Sequence, residues 1–458
     1  MPHQSADQLQ ILEDLLKRAK AKGAEAADAL IARDISLNVA QRLGQREKLE
    51  RSESQDLGLR VFIGKRQAIV STSDLTPKTL EELADRAVAM ARVVPEDEFC
   101  GLAEPELLSK SPASIELEDG TEPDEARLTD MIARAEDAAR AVKGVTNSEG
   151  AEAGWGRAEI ALAASNGFRG RYAGTRWGIS VSVLAGEGTG MERDYDYSSA
   201  VFGSDLDDPE KLGKSAGEGA VKRLNPRKAS TARLPIIYDP RISGGLVGHF
   251  VGAINGAGIA RGTSFLKDKM GQQIFAKGIR IIDDPHRPRG LRSKPFDAEG
   301  VANKKRALIE DGVLTTWLLD CRSARQLGLT TTGHAARGTS GPPSPSAANL
   351  YLEAGARSPK ELMADIDQGF YVTELIGQGI NGVTGDYSRG AAGYWIEKGE
   401  LTYPVSEVTI AGNLKDMFLQ LTPANDLKFR YGTDAPTVRI DGMTLAGSSG
   451  TGSSGAVS

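Results

Sequence analysis

The stretch GGLVGHFVGAING, residues 244–256, sets the tightest condition on the fold. Gly244, Gly248, Gly252 and Gly256 recur at every fourth position, beside an apolar stripe of Leu246, Val247, Phe250, Val251 and Ile254. The stripe has the period of a helix, and Asp239-Pro240, following the strand-like LPIIY, supplies its start. Each glycine weakens a helix by about 1 kcal/mol relative to alanine, so this helix needs tertiary packing to exist. The glycine ridge is expected to let another backbone approach very closely. A chain of 458 residues is long enough to build a domain around such a helix and one or two more besides.

Ile242 to Ala260 runs 19 residues without Asp, Glu, Lys or Arg, the length of a membrane span. Six of those residues are glycine, and His249 and Asn255 interrupt them, so too little apolar side chain is present to offset insertion. A net charge of −6, with both signs interspersed, gives no reason to expect a nucleic-acid partner or an anionic membrane surface. Cys100 and Cys321 are the chain's two cysteines, too few and too far apart for a disulfide framework or a metal knuckle. The start, MPHQSADQLQ, lacks a basic segment followed by an apolar one, and a reducing cytoplasm is the expected location.

The pattern divides the chain. Residues 7–22 carry Leu9, Leu12, Leu15, Leu16 and Ala19 on one helical stripe. ISLNVA, LGLRVFIG and RQAIVSTS read as strands, the last two joined at Gly64-Lys65. Thr76-Pro77 caps a second helix, and a third begins near Pro123 with acidic residues in its first turn. AEIALAAS, turning at Asn166-Gly167, and WGISVSVLA are strands, and a short helix runs from Asp208-Pro209 to Asn225-Pro226. Residues 225–233, NPRKASTAR, are polar and aperiodic and are assigned as a linker. Beyond it, hairpins turn at Asp311-Gly312 and near Lys398-Gly399, and Ser358-Pro359-Lys360-Glu361 is a capping box. The expected class is α+β: an N-terminal α/β domain over 1–224, in segments of about 1–105 and 120–224, then a glycine-rich, β-rich domain with a few helices over 234–448, and a flexible tail over 449–458.

Candidate chemistry is sparse. A zinc-peptidase helix needs two histidines on one face and a glutamate to activate water, whereas the glycine helix offers His249 alone. His3 lies in a terminus expected to fray, His286 in DDPHRPRG and His334 in TTGHAARG, so a zinc site assembled from His249, His286 and His334 across loops stays open. No GxSxG elbow, P-loop or strand–GxGxxG–helix setting occurs. GTGMERDYDYSS carries carboxylates with aromatics, which a solvated strand end explains as well as a site does. NLYLEAG, with Asn349 and Tyr351, reads either as an ordinary hairpin arm or as an open edge able to pair with an extended peptide.

GLRVFIGKRQAIVSTSDLTPKTLEELADRAVAMARVVPED resembles the first segment of the TldD/PmbA family of metallopeptidases. GHFVGAINGAGIARGTSFLKDKMGQQIF, LLDCRSARQLGLTTTGHAARG, PSPSAANLYLEAG and GYWIEKGELTYPVSEVTIAGNLKDMF resemble its third segment, and the α/β stretch between fits the second. The resemblance covers nearly the whole chain. In this family a TldD-like subunit carries a helical HExxxH zinc motif and a cysteine ligand near the C-terminus, and a PmbA-like (TldE) subunit lacks that site and pairs with the first. Laid on this chain, the motif falls on Gly244, Gly245 and His249, and no cysteine follows Cys321. The resemblance therefore implies a PmbA/TldE-like subunit with no catalytic residue and no cofactor of its own. The zinc would lie in a TldD-like partner of a cytoplasmic heterodimer that degrades unfolded peptides and, in some bacteria, matures a peptide antibiotic or removes an antitoxin. His249, His334, Asn349 and Tyr351 are then candidates for the peptide channel or the subunit interface, and His249 is the remnant of a zinc helix. Two alternatives stand beside this reading: a peptidase in its own right using His249, His286 and His334, and a homodimeric module that holds peptides without cleaving them.

Overall fold

The computed structural model describes residues 8–447, so His3 and the tail over 449–458 lie outside the described residues. The first half is one antiparallel six-stranded sheet. Its strands are β1 (Ala26–Arg42), β2 (Gln45–Ile63), β3 (Arg66–Thr72), β4 (Val145–Ala164), β5 (Arg169–Ala185) and β6 (Glu192–Ala200), in the order β3-β2-β1-β4-β5-β6. Helices α1 (Gln8–Ala21), α2 (Pro77–Val93), α3 (Glu125–Arg140) and α4 (Pro209–Lys222) cover one face. Alternation along the strands decides which face is covered. Ala27, Ala29 and Ile31 of β1 pack with α1 and α2 at one end, while Leu37 and Val39 of the same strand pack with α3 and α4 at the other. The cap at Thr76 is present, its side chain accepting from the Thr79 N–H.

The second half begins with β7 (Ala232–Tyr238), α5 (Pro240–Ala253) and α6 (Gly256–Ala260). It continues through β8 (Ile281–Asp283), β9 (Arg306–Glu310), β10 (Val313–Leu314), α7 (Cys321–Gln326), β11 (Ala335–Ala336), β12 (Ser344–Pro345), β13 (Leu350–Leu352) and α8 (Pro359–Met363). It ends with β14 (Gln368–Ile380), β15 (Asp386–Glu397), β16 (Glu400–Asn413), α9 (Leu414–Leu419), β17 (Leu421–Pro423), β18 (Thr433–Asp434) and β19 (Val438–Ala446). One sheet runs β16-β15-β14-β7-β19-β17, and β16 also pairs with β19, closing five strands into a ring. A second sheet runs β10-β9-β8-β13-β18. Both expected hairpin turns form with Asp311 and Gly312, and Lys398 and Gly399, at positive φ, the two-residue geometry that suits the strand twist. The capping box at Ser358 and Glu361 is also present.

The strand over 350–352 corrects one expectation. β13 is bonded antiparallel to β8 on one side and parallel to β18 on the other, and its three residues are buried. It is a central strand, so no open edge is available there for a peptide.

The uncovered face of the N-terminal sheet carries the second half. Leu30, Leu162, Phe168 and Phe296 form an apolar contact between them, with the Phe168 and Phe296 rings edge to face at 4.9 Å. Gly58 lies against the backbone of Thr339 so closely that a Cβ would stand 2.0 Å from its carbonyl oxygen, so no larger residue fits there. Beside this contact Asp28 accepts from Arg60 on the neighbouring strand and from Arg337 Nη1 at 2.6 Å across the junction. Arg60 also stands 3.9 Å from Glu299, whose other oxygen accepts from the Cys321 N–H at 2.8 Å. Two guanidinium groups and two carboxylates are thus buried between the halves, an arrangement that defines their relative position because every alternative strands a charge. Among the described residues no helix is long and apolar enough to cross a membrane.

Candidate functional site: a glycine-floored groove along α5

α5 begins where the sequence places it but ends at Ala253, because Asn255 caps a separate helix α6 that takes up Gly256. Asp239 caps it, its Oδ1 accepting from the Arg241 N–H at 2.9 Å, and Pro240 fills the first turn. Its buried stripe is Leu246, Val247 and Phe250, and the Phe250 ring meets Phe275 edge to face at 5.3 Å. Burial of side chains of this size stabilises by roughly 1.5–3 kcal/mol each, enough to outweigh the glycine penalty.

The glycine ridge does not do what its spacing suggests. A Cβ on Gly244 would meet the Thr433 carbonyl oxygen at 2.7 Å and one on Gly256 would meet Leu318 at 2.6 Å, so close packing holds at the two ends. A Cβ on Gly245, Gly248 or Gly252 would meet nothing within 4 Å. Those three face a groove of about 520 Å³, walled opposite by Arg292, Pro345, Ala347 and Thr433. The helix is held by its apolar side, and half of the ridge, Gly248 and Gly252, is bare backbone turned toward open space.

The head of the groove is aromatic and charged. Arg241 pairs with Asp194 at 3.0 Å and donates to the Tyr195 carbonyl at 3.2 Å. The rings of Tyr197 and Tyr431 lie 5.0 Å apart, and burial together with the bond to Tyr431 raises the Tyr197 hydroxyl pKa well above the ordinary phenol range. Asp239 Oδ2 accepts from the Tyr371 hydroxyl at 3.0 Å. Asp194, Tyr195 and Tyr197 belong to the segment GTGMERDYDYSS, whose acidic-aromatic composition was the available signal for them. Arg241 and Tyr431 carried none.

The sequence-derived candidates are dispersed. His249 stands on the flank of α5 and not among the groove-lining residues; its ring is 6.0 Å from that of Tyr387, and burial, aided by Arg389, lowers its pKa, so it is neutral at pH 7. His334 is buried, with Nδ1 2.7 Å from the Thr332 hydroxyl and Nε2 3.2 Å from Asp283. This has the order of a hydrolase triad, but Thr332 is itself buried and its oxygen accepts from the Leu319 N–H at 2.8 Å, so the hydroxyl is engaged in bracing a loop. Asn349 is buried and bridges the Arg292 N–H, the Asp284 carbonyl and Ser293. Tyr351 packs edge to face on Phe429 at 5.1 Å. His286 is bonded to Asn303 at 2.7 Å. The three histidines of the rearranged-site alternative therefore have separate partners, and among the described residues no three His, Cys, Asp or Glu side chains are grouped to hold a metal. Gly244 and Gly245 contribute no donor and His249 only one, so this helix does not fit a hydrolytic zinc ion.

A six-stranded sheet carrying helices on one face, joined to a five-strand ring with a glycine-rich helix, defines a two-part α+β scaffold. Residues 27–91, 118–224 and 231–447 match, respectively, domain 1, the central domain and the C-terminal domain of the PmbA/TldA metallopeptidases. The chain is 38% identical over 450 residues to the metalloprotease PmbA of Escherichia coli, covering 96% of this chain and 97% of that one. It is 34% identical over 428 residues to the PmbA homologue of Haemophilus influenzae, covering 93% of each, and 26% identical over 295 residues to the TldD homologue of that organism, covering 59% and 61%. A candidate modulator of DNA gyrase from Bacteroides thetaiotaomicron superposes with a TM-score of 0.89 at 26% identity, covering 97% of this chain and 99% of that one. TldE from Thermococcus kodakarensis shares the fold, with a TM-score of 0.85 at 21% identity, covering 95% and 99%. The chain belongs to the PmbA/TldD family.

Proposed function

We propose that this chain is the PmbA/TldE-like, zinc-free subunit of a cytoplasmic TldD–TldE-type metallopeptidase complex, and that its groove forms part of the wall along which an extended, unfolded peptide passes to the zinc of a TldD-like partner. The observation that carries the reading is that Gly244 and Gly245, onto which the resemblance lays the zinc motif, have no donor side chain, and that Gly245 looks into open space. A backbone floor of this kind admits a peptide main chain closely, and it offers nothing to polarise an amide or activate water. The homodimeric peptide-holding module shares the groove and differs in needing no partner.

The test is metal analysis and peptidase assay of the purified chain, alone and co-expressed with a TldD-like subunit from the same source. Alone, it is expected to carry far less than one zinc per chain and to leave an unstructured peptide intact. The co-expressed pair is expected to elute together, hold zinc and cleave. Stoichiometric zinc on the lone chain, or cleavage by it that disappears in His249→Ala, would overturn the proposal. Tight peptide binding with no co-eluting subunit would favour the homodimeric module.

A further inference from the structure

The α5 groove opens at its head into a larger interdomain cleft of about 1010 Å³, with Pro240, Arg241 and Tyr431 lining both. At the same end it adjoins a depression of about 440 Å³ on the N-terminal sheet, through Tyr197. The three cavities meet at the Tyr197–Tyr431 pair.

Charge in the large cleft is arranged unevenly. Its carboxylates are engaged with the protein. Asp194 is paired with Arg241, Asp239 caps α5 and accepts from Tyr371, and Asp426 accepts from the N–H and hydroxyl of Thr437. Asp434 accepts from the backbone N–H groups of Arg430, Tyr431 and Gly432, Asp196 accepts from the Tyr197 N–H, and Glu218 faces Lys214 at 3.7 Å. The cations are less engaged: Lys211 and Lys222 on α4, and Lys428 opposite, form no ion pair among the described residues, and Arg430 bonds the Tyr431 side chain and feels Asp196 and Asp207 without a direct ion pair. Each set is placed by its local geometry. Lys211, Lys214, Glu218 and Lys222 recur at helical spacing on one face of α4. In the segment 428–430 alternation turns Phe429 toward Tyr351 and Arg287, leaving Lys428 and Arg430 among the cleft-lining residues.

We propose that this cleft is a subsite for carboxylate groups of an extended peptide, so that peptides carrying an acidic segment are preferred along the path; this rests on the peptide-wall reading above. Lys211 and Lys222 are eleven positions apart on α4, or about 16 Å, which spans roughly five residues of extended chain. Carboxylates separated by neutral residues match cations at that interval. A polyphosphate, charged at every link, would set charge against wall positions where no unpaired cation stands.

Binding of two labelled peptides of about twelve residues tests this. Both are built on Gly and Ser, one carrying glutamates at every third position and the other glutamines at the same positions. Each is titrated against the full chain and against its complex with the TldD-like subunit. The acidic peptide is expected to bind about tenfold tighter at low salt, an advantage that shrinks as salt screens it. Lys211→Gln/Lys222→Gln and Lys428→Gln/Arg430→Gln should each remove most of that advantage at unchanged melting temperature. Gly248→Phe, which fills the groove, should weaken both peptides alike. Equal binding of the two peptides, with both weakened by Gly248→Phe, overturns the acidic subsite and leaves the peptide path standing. Absence of binding by either peptide, to chain or complex, overturns both. Lysine-dependent binding of a single-stranded oligonucleotide of equal charge, tighter than that of the acidic peptide, also overturns the proposal.

Discussion

Asp28→Ala is expected to destabilise the chain by about 3–5 kcal/mol in urea titration, among the largest losses any single side chain here should produce. Asp28 is 2% exposed and accepts from both Arg60 and Arg337, which are themselves buried. Burial alone would raise its pKa; the two guanidinium groups, Arg337 first, more than offset this and hold it below the ordinary 3.8. Removing the carboxylate leaves two cations facing each other in a dry junction. Nε and Nη2 of Arg337 already lack a hydrogen-bond partner, so no acceptor beside Arg337 replaces the lost one, and Glu299 stands 3.9 Å from Arg60. Asp28→Asn keeps the shape and loses the charge, and should cost nearly as much. The linkage has a definite sign: a depressed carboxyl pKa contributes stability that is fully present above 3.8 and is lost as pH falls through the folded value. A loss below about 1 kcal/mol in Asp28→Ala would mean that water reaches the guanidinium groups and that the junction is not dry.

This junction was illegible in the sequence, and the reason is distance along the chain. Asp28 and Arg60 are 32 positions apart and Asp28 and Arg337 are 309 apart, so no local pattern links them. What was legible is local. Thr76-Pro77, Asp239-Pro240 and Ser358 through Glu361 end helices because side-chain oxygens and a missing N–H act within one turn. The strand over 57–64 was visible from its apolar residues, but β2 begins at Gln45, because residues 45–54 are charged, exposed and held extended by pairing with β1 alone. The expected HExxxH positions were read by resemblance. That bare glycine faces space was not, since a helical period shows which residues share a face and not whether anything covers that face. Asn349 and Tyr351 misled for the same reason: an alternating segment reads alike as an edge strand and as β13, which is covered on both sides.

Glu299→Gln should stabilise the chain above neutral pH and flatten its pH dependence. Glu299 is 5% exposed, and burial pushes its pKa from 4.5 up to about 7; Asp297 adds to the shift and Arg60, at 3.9 Å, opposes it. A carboxyl whose folded pKa is raised binds a proton in the folded state that the unfolded chain has released. Stability therefore falls as pH rises from about 4.5 through about 7, and the penalty is complete above that. At about 1.4 kcal/mol per pH unit the full effect is on the order of 3–4 kcal/mol. Glutamine can still accept from the Cys321 N–H, so the start of α7 keeps its bond and the charge alone is removed. Asp297 is raised in the same direction by burial and lies in the same loop, so part of the slope belongs to it and persists in Glu299→Gln. Thermal melts of both proteins from pH 5 to pH 8 decide the matter. Near pH 5 the two should melt within a degree or two of each other; at pH 8 the variant should melt several degrees higher. Parallel curves would show that Glu299 is ionised across this range, with Arg60 holding it as firmly as it holds Asp28.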